Sequence, residues 1–187
     1  MRGGSILSQD FSGACGDPLS ILQARVEITD VILRYCKALD SRDKQALRSC
    51  FHADSDHDHG GFVGTSWGFC DFAMTVLNAC VVTQHFVSGN IMIAVNRHAA
   101  NAESYFWAYH RMPPSGEPIF PYAAPDDDVI MAGRYIDRFE NRDGIWRIAQ
   151  RRGTLDWLRV TPGCDRGTMA HYQPPHFLSQ TPPSSEA

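Results

Sequence analysis

Long apolar runs are missing from this 187-residue chain. None approaches the ~20 residues that a bilayer-spanning helix needs, so no such helix is expected. Clustered positive charge is missing too. With 17 basic against 21 acidic residues and a formal charge of −4, no Lys/Arg stripe offers a phosphate backbone its counter-charge, which excludes a nucleic-acid footprint. Cysteines occur at positions 15, 36, 50, 70, 80 and 164, widely spaced and without a CxxC pair. Cys36, Cys50, Cys70 and Cys80 fall among apolar residues of predicted helices, where cysteine acts as a small hydrophobe. Reduced core thiols point to a cytoplasmic protein. A Gly-rich phosphate loop is also lacking, so no nucleotide cofactor is expected. The opening "MRGGSILSQDFSGACGDP" has no continuous apolar core of the kind a secretion signal carries.

What remains is the composition of a soluble globular domain, 43% hydrophobic and 20% charged, of a length that builds a core without staples. Residues 1–18 read as a flexible leader, 19–160 as one domain, and 161–187 as an extension. Proline and serine in "QPPHFLSQTPPSSEA" argue against a packed helix or strand there, leaving disorder or an arm on a neighbour. In "PLSILQARVEITDVILRYCKALDSRD", Ile21, Ala24, Ile28, Val31, Ile32, Tyr35 and Leu39 recur at helical spacing, with Ser20 as the candidate cap. A short helix capped by Asp43 follows, and "SWGFCDFAMTVLNAC" reads as a third. Then come four stretches rich in β-branched and aromatic residues: "HFVSGNIMIAVN", "AESYFWAYHRM", "VIMAGRYIDRFENRDG" and "IWRIAQRRGTLDWLRV". The last two are joined by an "NRDG" hairpin turn. Helices followed by an antiparallel meander make an α+β order, and a curved sheet with helices across its concave side would enclose a pocket. Residues 113–128, "PPSGEPIFPYAAPDDD", exceed what a hairpin needs, a length typical of lids or interface arms.

Several residues could carry chemistry. In "SDHDHGG", a strand would turn His57 and His59 to one face and Asp56 and Asp58 to the other. Two histidines on one face are short of the three protein ligands a zinc site needs, so no metal is expected unless His85, His98 or His110 joins them. The pair otherwise lines a polar pocket or belongs to a surface loop. Asp40 ends a helix, where a carboxylate opposes the macrodipole, and Asp43 is the better cap. His85 sits among apolar neighbours, either as a core residue or as the natural proton carrier at neutral pH. Were Asp40 to lie against its ring, the carboxylate would orient the imidazole and stabilise its charged form. Arg151 and Arg152 are adjacent on a strand, so one faces inward and the other solvent. Tyr35 shares the helix of Asp40, as core packing or as a cavity group.

The order "YCKALDSRD", "LRSCFHADSDHDHGGFVG", "TQHFVSGN", "AESYFWAYHR" and "GRYIDRFENRDGIWRIAQRRGTLDW" resembles the SnoaL-like branch of the nuclear-transport-factor-2-like superfamily, from about Leu19 to Val160. The resemblance implies a cone-shaped α+β barrel with an apolar pocket. Some members are cofactor-free lyases, namely scytalone dehydratase, hexachlorocyclohexane dehydrochlorinase and bile-acid 7α-dehydratase. Their Asp–His pair falls on Asp40 and His85, and their last-strand arginine on Arg151, or on Arg152 after a one-residue slip. Tyr35 stands where the dehydrochlorinase has lysine and the bile-acid enzyme tyrosine, which moves the expectation towards dehydration or isomerisation of an oxygenated ring. By the same likeness His57 and His59 point inward to a ligand's polar group. Ser104, Phe106, Ala108 and His110 form one face of the next strand, favoured as inward over Tyr105, Trp107 and Tyr109. The expected partners are a small cyclic substrate and further copies of the chain, as a dimer or trimer. Other members only bind ligands or assemble complexes, such as dioxygenase β subunits, which is the rival expectation.

Overall fold

The structure, a computed structural model, describes residues 17–163 except 97 and 118. The expectations placed on the leader before residue 17 and on the extension after residue 163 lie outside the described residues.

Helix α1 (Pro18–Asp40) begins at Asp17 rather than Ser20. Pro18 occupies the first turn, where its missing N–H is no loss, and the Asp17 carboxylate accepts from the backbone N–H of Leu19 and Ser20 at 3.0 and 3.2 Å. The expected cap, Ser20, instead donates its hydroxyl to Asp17. Of the expected apolar face, Ala24, Ile28, Val31, Ile32, Tyr35 and Leu39 are buried, and Ile21, in the first turn, is only half-buried. Helix α2 (Lys44–Ser49) is capped by Asp43, which accepts from Ala46 N–H at 2.9 Å, and helix α3 (Ser66–Ala79) is capped by Thr65.

Six strands follow or interleave: β1 (Phe51–His59), β2 (Phe62–Thr65), β3 (Val82–Val95), β4 (Ala99–Arg111), β5 (Asp128–Arg142) and β6 (Ile145–Thr161). They form one sheet in the order β2-β1-β6-β5-β4-β3. All neighbours are antiparallel except β1 and β6, which run parallel. Strand β2 is an element the sequence pattern did not suggest. It returns from β1 through Gly60, whose φ of +61° suits glycine. The β5–β6 hairpin turns through Asp143 and Gly144 with φ of 54° and 79°, the primed turn that matches strand twist.

The sheet curls around the helices as a cone-shaped α+β fold. Its inner face carries the main core, which includes Ile28, Ile32, Leu47, Phe51, Phe139 and Ile148. A bulge at Gly133 helps the curl: a Cβ there would come within 1.8 Å of the Thr154 carbonyl, so only glycine permits the approach. On β4 the alternation is resolved. Ser104, Phe106, Ala108 and His110 are buried, whereas Tyr105 and Trp107 are 42% and 46% exposed on the outer face. The 113–128 segment packs over a smaller cluster of Cys80, Met112, Ala123 and Val129, bringing Ile119 and Phe120 against the sheet.

The α2 cap is testable on its own. Asp43→Ala should lower the unfolding free energy by about 1 kcal/mol, read as a reduced urea midpoint with an unchanged slope.

Candidate active site

The curled sheet and helices α1 and α3 enclose a cavity of about 450 Å³. Its walls are mostly apolar, with Leu39, Phe69, Leu77, Phe106, Met131 and Leu158 among them. Polar groups enter at a few points only: Tyr35 from α1, His59 from β1, His85 from β3, His110 from β4, Tyr135 from β5 and Thr154 from β6. Ile119, Phe120 and Pro121 of the long β4–β5 connection lie over one side, so that segment forms part of the cavity wall. A concave apolar space with few converging polar groups is the common form of a small-molecule site.

Of Asp40 and His85, the histidine lines the cavity, and Asp40, outside the lining, holds it. His85 Nδ1 lies 2.7 Å from Asp40 Oδ1, and the His85 backbone N–H donates to Asp40 Oδ2 at 3.0 Å. The carboxylate can only accept, so Nδ1 carries the proton and Nε2 is left as the ring's basic nitrogen. The His85 side chain is 8% exposed and that of Asp40 31%. Position explains both residues. Asp40 is the last residue of α1, whose C-terminus packs beside β3, and His85 is the fourth residue of that strand. The macrodipole works against a carboxylate at that end, and the two hydrogen bonds from His85 supply the local compensation.

The other histidines differ. His59, His85 and His110 all line the cavity, yet only His85 has a carboxylate partner. Burial, assisted by repulsion from His85, depresses His110 to about 3. Burial also depresses His59 to about 3, with Arg151 and His85 adding repulsion. Both rings are therefore neutral at pH 7. His110 packs edge-on to His85 at 5.2 Å and is stacked on Phe120 at 4.8 Å. His59 lies flat over Gly153, its register partner on β6, where a Cβ would come within 2.8 Å of the ring.

His57 and His59 do share a face, with nearly parallel rings 5.7 Å apart. The expectation that both meet a ligand changes, because His57 is not part of the cavity lining. It is buried one layer further in, stacked on Phe69 at 3.6 Å, with a pKa depressed by burial and by Arg151 to about 2. Among the described residues, no group of three or more His, Cys, Asp or Glu side chains is arranged to hold a metal ion.

Arg151 likewise faces inward, and Arg152 is exposed. Arg151 does not reach the cavity wall, however. Its guanidinium pairs with Asp137 through two hydrogen bonds of 2.7 Å and packs against the rings of both Tyr35 and Tyr135, at 4.0 and 4.2 Å. This arginine is fully buried; it touches the lining through those rings and its charge disfavours protonation of His59. The Tyr35 hydroxyl is buried without a hydrogen-bond partner. Burial holds its pKa above the usual phenol value, with Arg151 pulling the other way, so it stays a protonated donor at neutral pH.

Sequence reasoning missed Asp137, Tyr135, Phe69 and Gly153. One signal was available: Tyr135, Asp137 and Phe139 alternate on one face of β5, and an acid on an apolar face demands a buried partner. Arg151 is its register neighbour on β6. The stack of Phe69 on two histidines depends on the α3–β1 contact, which no local pattern announces.

The depressed histidines carry a pH consequence. An unfolded histidine titrates near 6.5, so from pH 6.5 down to about 3 for His59 and His110, and about 2 for His57, the unfolded chain binds protons that the folded one refuses. The contribution is fully present above pH 6.5 and is lost as pH falls through that window. Urea midpoints should therefore drop steadily from pH 7 to pH 4. His57→Phe, which keeps the stack on Phe69 but removes one buried imidazole, should flatten that drop.

The SnoaL-like domain family matches residues 20–152. A type 2 hexachlorocyclohexane dehydrochlorinase aligns with 20% identity over 84% of this chain and 97% of its own, with a TM-score of 0.67. The type 3 enzyme from Novosphingobium barchaimii LL02 aligns with 19% identity over 84% and 99%, with a TM-score of 0.66. A provisionally assigned scytalone dehydratase from Novosphingobium aromaticivorans DSM 12444 aligns with 22% identity over 80% and 98%, with a TM-score of 0.62. At these identities the likeness is one of fold. Among curated proteins, no sequence matches the chain significantly.

Proposed function

Starting from a chain that belongs to the SnoaL-like domain family, we propose that it is a cofactor-free lyase or isomerase of the dehydratase type, acting on a small, largely apolar cyclic substrate. The observation that carries this reading is the 2.7 Å contact of Asp40 with Nδ1 of His85, a residue that lines an apolar cavity. The family's neighbours of lyase type support it at a coarser level.

In the reaction, His85 Nε2 takes a proton from a carbon next to a carbonyl. The C–H electron pair moves into the new C=C bond, and the carbonyl oxygen gains the charge. Asp40 steadies the imidazolium that results. Tyr35, a buried donor, hydrogen-bonds the developing oxyanion, and Arg151 acts as a positioning residue behind its ring. For dehydration, His85 returns its proton to a departing hydroxyl as the C–O bond breaks. For isomerisation it returns the proton to a different carbon. His59, Phe106, Ala108 and His110 form the bed on which the substrate lies, and His57 supports His59 from behind.

A positioned base contributes ~100- to 10,000-fold, which suits an already activated proton and not an unactivated C–H. The cytoplasm is part of the same proposal: Cys36, Cys50, Cys70 and Cys80 are free and buried, and among the described residues no helix is long and apolar enough to cross a membrane. Self-association is supported by the outer sheet face. There Phe86, Trp107 and Trp157 stand 52%, 46% and 45% exposed along one cross-strand row.

Deuterium exchange into a cyclic ketone provides the test. The parent protein should catalyse exchange next to the carbonyl, and both His85→Ala and Asp40→Asn should reduce it at least 100-fold. Equal exchange by both variants would contradict the dyad and favour a ligand carrier of the same fold.

A further inference from the structure

Helix α1 has a second apolar face, and the fold leaves it uncovered. Its core side is lined by Ala24, Ile28, Val31, Tyr35 and Leu39. On the opposite side Leu19, Leu22, Val26 and Leu33 stand 74%, 60%, 61% and 48% exposed. At 3.6 residues per turn these four fall within about 60° of one another. With Thr29 they occupy positions 19, 22, 26, 29 and 33, the alternation of three- and four-residue steps that makes a coiled-coil seam. Single exposed aliphatics are ordinary. The solvent side of an amphipathic helix is otherwise polar, however, and an aliphatic row along it marks a contact surface. Thr29, the polar member, donates its hydroxyl to the Arg25 carbonyl at 2.8 Å and so needs no partner across the seam.

The row is nearly symmetric about Val26, with Leu19 and Leu33 seven residues to either side. Turning a second copy of α1 end for end about that point sets Val26 against Val26, and Leu19 of each copy against Leu33 of the other. The charges favour that direction. Lys37, exposed in the last turn, comes beside the exposed Asp17 cap and the N-terminus of the opposite helix, and Gln23 comes beside the opposite Asp30. A parallel pair would instead set Asp30 against Asp30 and Lys37 against Lys37. Along the same side of the helix acidic Glu27 and Asp30 are followed by basic Arg34 and Lys37, so no belt of one sign addresses a lipid headgroup surface.

We propose that this row is a homotypic contact, in which two copies of the chain pair their α1 helices antiparallel, centred on Val26. Such a contact is isologous and closes at two copies. It is separate from association through the outer sheet face, because α1 lies against the inner face of the same sheet. Each paired helix carries Asp40 at its end, so the contact braces the element that presents the carboxylate to His85 in both copies.

Disulfide trapping in the full chain tests the geometry. Cys15→Ser and Cys164→Ser are introduced first, which leaves Cys36, Cys50, Cys70 and Cys80, all buried, as the native thiols. In that background Val26→Cys should form a covalent dimer under mild oxidation, because its two sulfurs meet at the symmetry point. Leu33→Cys should stay at the level of the background protein. Antiparallel pairing holds its two copies about 21 Å apart along the helix, beyond the ~7 Å that a disulfide spans between Cα atoms. Leu19→Cys and Leu33→Cys combined in one chain should crosslink again. Sedimentation velocity gives the second reading. Val26→Asp should weaken one association step at least tenfold with an unchanged circular dichroism spectrum, whereas Trp107→Asp on the outer sheet face should leave that step intact. A Val26→Cys chain that stays uncrosslinked, a Leu33→Cys chain that crosslinks alone, or a Val26→Asp chain that associates like the parent would each overturn the proposal. Flotation of the parent with anionic lipid vesicles in place of self-association would also overturn it, and would give the row to a membrane surface.

Discussion

One carboxylate holds the cavity in its chemical state. Asp40 receives both the backbone N–H and the ring N–H of His85, and so ties the end of α1 to the fourth residue of β3. That double contact fixes the strand relative to the helix and the imidazole relative to the strand. Ring orientation and tautomer follow together, because an acceptor at Nδ1 leaves no choice about where the proton sits. The remaining histidines of the cavity have no such anchor and are kept neutral by burial. The same residue type thus serves two purposes in one space, separated by the presence or absence of a single carboxylate.

A second ion pair works in the reverse sense. Arg151 and Asp137 are both fully buried, and each neutralises the other beneath the cavity floor. Their register on β5 and β6 is set by the alternation that also directs Tyr135 inward. The pair brings charge close to the cavity without exposing any to it, and the tyrosine rings above the guanidinium turn that charge into a bias on their hydroxyl groups. Cavity polarity therefore comes from neutral groups backed by charged ones.

Much of this was legible in the sequence, and for identifiable reasons. The fold could be read because α1 has clean helical spacing and the last strands carry a turn, Asp143–Gly144, that almost forces a hairpin. Asp40 stood out because Asp43 took the capping task, whereas its pairing with His85 came from the family resemblance and not from any local pattern. The β4 facing was a choice between two sets, and burial of Ser104, Phe106, Ala108 and His110 resolves it. What stayed hidden depends on contacts between distant elements. The cap at Asp17 was passed over because Ser20 also suits the position. Strand β2 is four residues long and exists by pairing with β1. The withdrawal of His57 behind Phe69 and of Arg151 behind two tyrosines depends on layer depth, and a period-2 pattern gives direction but not depth.

The outer face of the sheet and the cavity share strands without sharing residues. Trp107 faces outward between Phe106 and Ala108, both of which face the cavity. Association through the outer face would therefore stiffen the cavity wall without entering it. The proposed chemistry depends on the protonation geometry of one ring, which long-range proton–nitrogen NMR reports directly. In spectra of the neutral imidazole, His85 should carry its proton on Nδ1 with Nε2 bare, and Asp40→Asn should weaken that preference. A His85 ring protonated mainly at Nε2 in the parent protein would contradict the account.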